Sequence, residues 1–146
     1  MNRLFKVLCL IVIVFSTIPS TAFAGNRGGQ KSSHVNWDPI MAAIIQVESG
    51  GKSNAKNGNQ CGAMQITPIL VQQCNIILKE RGDNKRYTLN DRFSVKKSRE
   101  MFVLIQSYYN PTNNVEKAIR IWNGGPRYKV RSTQRYYKRV MKAYNN

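Results

Sequence analysis

Between Trp37 and Tyr144 the apolar residues recur every three or four positions, the period of helices with one buried face, and rarely alternate as strands do. Ile40, Ala43, Ile44 and Val47 form the first stripe, with Asp38 and Pro39 as N-cap and first-turn proline before it and Gly50-Gly51 to end it. After a polar loop from Lys52 to Gln60, Thr67-Pro68 repeats the start signal ahead of Ile69, Leu70, Gln73 and Ile77. Lys79 to Arg92 reads as a long loop. Ser94 caps a third helix carrying Phe102, Ile105 and Tyr109, which Asn110-Pro111 stops. Asn114 caps a fourth, with Ala118, Ile119 and Trp122 on one stripe and Gly124-Gly125-Pro126 as its end. A fifth, from about Thr133, carries Tyr136, Tyr137, Val140, Met141 and Tyr144. Only Tyr87-Thr88-Leu89 and Arg127 to Arg131 suit short extended pieces, so the expected class is mainly α: one α-rich domain with at most a small β hairpin.

A different pattern precedes this domain. Met1 to Lys6 is short and basic, Val7 to Ile18 is apolar, and Ala22-Phe23-Ala24 puts small residues where a signal peptidase needs them. Residues 1–24 therefore read as a signal peptide cut before Gly25, and the protein as exported, periplasmic or secreted. The apolar run is too short to cross a bilayer comfortably, and Cys9 in its middle does not make a lipoprotein cleavage site. Residues 25–36, rich in Gly, Ser, Asn, Lys and Arg, read as a flexible lead to a single folded domain at 37–146.

Charge narrows the partners. Losing Arg3 and Lys6 with the signal peptide takes the formal net charge from +16 to +14, a field that favours polyanions. Export makes the cell wall the expected partner. The cations are scattered and no nucleic-acid motif accompanies them, so nucleic acid is not expected to bind. A single histidine, His34, near the start of the mature chain, leaves no means of assembling a Cys/His metal site. Cys61 and Cys74 remain after processing: a disulfide between them is one possibility in an oxidising compartment, two buried thiols the other.

Glu48 is the acidic residue with unusual surroundings. It follows Ile44 by one turn and adjoins Val47, beside the apolar face at the carboxyl end of its helix. Desolvation and the negative end of the helix dipole both favour its protonated form. A carboxylic acid kept protonated near neutrality suits a glycosidic oxygen, which leaves poorly unless a proton arrives as the bond breaks.

Four short segments follow in order: Val47-Glu48-Ser49-Gly50-Gly51, Gly62-Ala63-Met64-Gln65-Ile66-Thr67-Pro68, Ala118 to Pro126, and Thr133 to Val140. Together they resemble the soluble lytic transglycosylase family of the lysozyme-like superfamily, over roughly Trp37 to Tyr144. The resemblance implies an α-rich lysozyme-like fold with a groove for a strand of N-acetylglucosamine and N-acetylmuramic acid, and no cofactor or metal. It implies Glu48 as catalytic acid and base, and Ser49 as a residue orienting substrate and carboxyl. Met64 and Gln65 match groove-lining residues: methionine offers an adaptable apolar surface to a sugar face, and glutamine can donate to and accept from an acetamido group. Asn123 matches the asparagine of the third motif and Tyr136 the tyrosine of the last. Core packing is the plainer role for Met64 and Tyr136, and for Trp122 it stands level with a substrate-binding role in the groove.

Two departures from the family pattern stand out. Trp122 occupies the place of a usual tyrosine, which leaves two alternatives: a phenolic hydroxyl near the carboxyl is missing, or Tyr108, Tyr109 or Tyr137 replaces it. Ala63 replaces a commoner leucine. No acidic residue lies between Glu48 and Glu80, whereas a hydrolase needs a second carboxyl near its acid. Asp83 and Asp91 could supply one only by folding back over the groove. The expected function is thus a monomeric peptidoglycan lytic transglycosylase. A lysozyme-type muramidase and a non-catalytic cationic wall-binding protein are the alternatives. Wall remodelling, opening the wall for a secretion or conjugation apparatus, and lysis would all use this chemistry.

Overall fold

A computed structural model describes residues 35–146; the expected signal peptide and most of the lead lie outside the described residues. Five helices and one small hairpin make up the domain: α1 (Asp38–Ser49), β1 (Lys56–Asn57), β2 (Gln60–Cys61), α2 (Pro68–Glu80), α3 (Val95–Tyr109), α4 (Val115–Gly124) and α5 (Val130–Tyr144). The mainly helical class is as expected. Local chemistry sets most boundaries: the side chains of Thr67, Ser94 and Asn114 accept from the backbone N–H groups of Leu70, Lys97 and Lys117, and each cap starts a helix.

Elsewhere the structure corrects the sequence reading. Asp38 is the first residue of α1 rather than its cap, and its N–H donates to Asn36 Oδ1 at 3.0 Å. The hairpin lies at Lys56–Cys61, inside the polar loop, where Lys56 pairs with Cys61 and Asn57 with Gln60. Such a two-residue ladder leaves no alternation to detect. Of the supposed extended pieces, Tyr87-Thr88-Leu89 runs into a 3-10 turn at Leu89–Phe93, and Arg127 to Arg131 runs into α5, which begins at Val130. That turn occupies the end of the supposed long loop. Thr88 caps it in a reciprocal box with Asp91.

The core centres on Phe102 of α3, whose ring lies 5.7 Å from Trp37 and 5.2 Å from Trp122. α2 packs on α3, and α5 packs on both α1 and α4. The buried stripe of α2 is Val71, Cys74, Ile77 and Leu78, so Ile69 is left outside it, 73% exposed. Cys61 and Cys74 are free and buried, and the disulfide is not formed. Cys61 pairs through its backbone with Ile66, which follows the hairpin, while Cys74 directs its sulfur at the Met101 carbonyl of α3. Burial pushes the Cys74 thiol up to about 12.

Candidate active site

Glu48 occupies the last turn of α1, one turn beyond the fully buried Ile44. α5 crosses this end of α1 and fastens it at two points. The Tyr136 hydroxyl donates to Glu48 Oε1 at 2.7 Å, and Arg139 Nη2 donates to the Val47 carbonyl at 3.0 Å. Burial raises the Glu48 pKa above the ordinary carboxylate value, against the opposing pulls of the Tyr136 hydrogen bond and the Arg139 charge. Tyr136 is itself raised by burial and by the neighbouring carboxylate, so its hydroxyl stays a donor. Oε2 of Glu48 has no hydrogen-bond partner among the described residues.

A cleft of about 400 Å³ opens beside this carboxyl. Gln65 and Ile69 line it from the segment that enters α2, Trp122 and Asn123 from the end of α4, and Tyr136 and Arg139 from α5. Glu48 is the one acid among its lining residues. Asp83 lies in the exposed loop after α2, and Asp91 is spent on its cap, accepting from the Thr88 N–H and from Lys97 Nζ, which holds its pKa down.

Gln65 reaches the cleft through a strained backbone. Its φ of 51° is left-handed, a conformation that costs a non-glycine residue about 1–3 kcal/mol. The tight turn behind it explains the need: Gly62 passes so close to the Arg92 carbonyl that an added Cβ would sit 1.7 Å from the oxygen. Gln65 Nε2 donates to the Gly62 carbonyl at 2.9 Å and the Ala55 carbonyl at 3.4 Å, which uses its donors inside the turn.

Of the residues singled out in the sequence, Glu48, Gln65, Trp122, Asn123 and Tyr136 meet at the cleft. Met64 does not. Its side chain is fully buried and its carbonyl accepts from Trp122 Nε1 at 3.3 Å, so it holds the wall from behind. Ser49 is also absent from the lining: its hydroxyl donates to the Ala63 carbonyl at 2.8 Å and ties the end of α1 to the Gly62–Gln65 turn. Trp122 packs on Phe102 and also lines the cleft. The phenolic hydroxyl beside Glu48 is that of Tyr136, the tyrosine of the last motif, and none of the three candidate substitutes bonds Glu48 among the described residues. Tyr108 instead donates to Glu80, Tyr137 lies under the Arg120 guanidinium, and Tyr109 lines the cleft without bonding Glu48.

Arg139 and Ile69 were missed as cleft residues. Arg139 stands three positions after Tyr136, which is one helical turn and a readable signal. Ile69, apolar yet at the exposed start of a proline-led helix, looks from the sequence like any core position.

Among the described residues, five helices thus surround a cleft that holds one desolvated carboxyl. The family model of the transglycosylase SLT domain matches residues 26–146, and the chain belongs to that family, whose members are peptidoglycan lytic transglycosylases. No solved structure matches the chain.

Proposed function

We propose that the protein cleaves the β-1,4 bond between N-acetylmuramic acid and N-acetylglucosamine, with Glu48 acting first as acid and then as base. The observation that carries this is the state of Glu48: a desolvated carboxyl, the one acid lining the cleft, with one oxygen held by Tyr136 and the other free of hydrogen bonds within the described residues. The free oxygen carries the proton to the bridging oxygen as the muramic C1–O bond breaks. The substrate's acetamido oxygen stabilises the positive charge at C1. Glu48, now a carboxylate accepting from Tyr136, takes the proton of the muramic 6-hydroxyl, and that oxygen closes on C1 as a 1,6-anhydro ring. No water is consumed, so no second carboxyl is required.

The remaining cleft residues bind rather than react. Gln65, its amide donors engaged, offers its oxygen to an N–H or hydroxyl of the sugar, and Asn123 offers an exposed amide opposite. Ile69 and Trp122 supply apolar surface for a sugar face. The reading includes export, on the order of basic, apolar and small residues in 1–24, and action on the wall as a monomer.

Clearing of a peptidoglycan suspension by purified protein tests the assignment. Glu48→Gln keeps the size of the side chain and the acceptor for Tyr136 but cannot deliver a proton. The rate should fall on the order of a hundredfold or more, since general acid–base catalysis contributes about 10²–10⁴. Equal clearing by the variant would remove Glu48 from the mechanism.

A further inference from the structure

The outer face of α5 is a line of cations. At 3.6 residues per turn, Arg131, Arg135, Lys138 and Lys142 fall on one narrow stripe, opposite the buried Thr133, Tyr136 and Val140. With Gln134 and Arg139 they line a shallow hollow of about 550 Å³. The protein does not neutralise them. No Asp or Glu follows Glu116 in the sequence, and none of the four forms an ion pair among the described residues.

This arrangement works against the helix that carries it. Arg131 and Arg135, like Lys138 and Lys142, are like charges one turn apart, and Arg131 sits in the first turn, where the helix dipole disfavours a cation. A merely solvated face would gain by mixing signs. Arg139 adds the geometric link, because it lines both this hollow and the cleft that holds Glu48. The hollow that the stripe lines and the cleft therefore adjoin at Arg139.

We propose that the α5 stripe is a subsite for the carboxylates of peptide stems borne by the glycan strand in the cleft. The inference rests on the proposed function. The muramic residues of peptide-bearing strands carry stems with free carboxylates, and a stem on a strand seated at Glu48 leaves the cleft across its rim. Arg139 is where the rim turns cationic. From Arg131 to Lys142 the stripe extends about 16 Å at 1.5 Å per residue, room for more than one carboxylate, and the arginine forks suit carboxylates bidentately. Its concavity and its junction with the cleft at Arg139 favour this ligand over a flat anionic membrane.

Binding of soluble glycan strands, with their peptides or stripped of them by an amidase, tests the subsite. It is read in Glu48→Gln protein, so that no strand is cut. Peptide-bearing strands should bind about tenfold more tightly than stripped ones, the effect of several modest exposed charge pairs together. Adding Arg131→Gln, Arg135→Gln, Lys138→Gln and Lys142→Gln should abolish that difference and leave the affinity for stripped strands as it was. Arg131→Lys with Arg135→Lys, which keeps the charge, should retain most of it, and circular dichroism reports whether each variant is folded. Loss of affinity for both strands alike, or an undiminished preference in the fourfold variant, would overturn the subsite. So would a loss confined to phosphatidylglycerol vesicles, which would make the stripe a membrane surface. A protein that shows the preference yet never cleaves peptidoglycan would refute the proposed function and leave the subsite standing.

Discussion

Tyr136 acts on Glu48 in two opposed ways: its bulk helps to desolvate the carboxyl, and its hydroxyl steadies the charged form. Tyr136→Phe separates them, because the ring stays and the hydrogen bond goes. Without that bond the Glu48 pKa, already raised, should rise further. The acid must be protonated in the free enzyme, so kcat/KM falls as pH increases through this pKa, and in Tyr136→Phe the fall should move to higher pH. The plateau should drop about tenfold, as the carboxylate left after proton transfer loses its donor. An unmoved or downward-shifted alkaline limb in the pH profile of kcat/KM would contradict this. Glu48 was legible in the sequence because a carboxylate beside an apolar stripe at a helix end is a local anomaly. Its bond to Tyr136 joins residues 88 positions apart, and only the packing of α5 on α1 reveals it. Met64 and Ser49 show the converse: a motif marks residues that matter without saying whether they touch substrate or hold what does.

The turn from Gly62 to Gln65 is the element that most directly shapes the cleft, and two glycines test how. Gly58 and Gly62 both have left-handed backbones, with φ of 58° and 78°, but a Cβ on Gly58 would meet nothing within 4 Å, whereas on Gly62 it would strike the Arg92 carbonyl. Gly58→Ala should therefore cost only the backbone term, about 1 kcal/mol. Gly62→Ala should cost about 3 kcal/mol or more in urea denaturation, since a rigid backbone oxygen must move. Equal losses would show that the close approach is not what holds the turn. The helices themselves were readable from the sequence because capping is local: Thr67-Pro68, Ser94 and Asn114 each fill orphan donors of the next turn. The hairpin and the true start of α5 were not, for two-residue strands have no period and Val130 lacks a capping side chain before it. Arg120 ties those last elements together, donating to Glu116, Thr133, Gln134 and the Val130 carbonyl. Nothing in the sequence distinguishes it from the many surface arginines.

Across the molecule the formal charge is +16, or +14 without residues 1–24, and its cations extend from the cleft rim along α5. Under the proposed function such a field would concentrate the protein on an anionic wall, an effect that salt screens: the Debye length falls from about 10 Å at 0.1 M to about 3 Å at 1 M. Activity on intact sacculi should accordingly fall with added salt more steeply than activity on short soluble glycans. Identical salt curves for the two substrates would remove steering from the picture. The product of cleavage separates transglycosylase from hydrolase directly. A retaining hydrolase needs a second carboxyl about 5–5.5 Å from its acid and an inverting one a base about 6.5–9.5 Å away. Glu48 has neither in its cleft. Mass spectrometry of peptidoglycan digested by the purified protein should therefore show muropeptides ending in 1,6-anhydro-N-acetylmuramic acid, each one water lighter than its hydrolysed counterpart. Predominantly reducing-end products, with activity lost on Asp83→Asn or Asp91→Asn, would contradict it and make the enzyme a lysozyme.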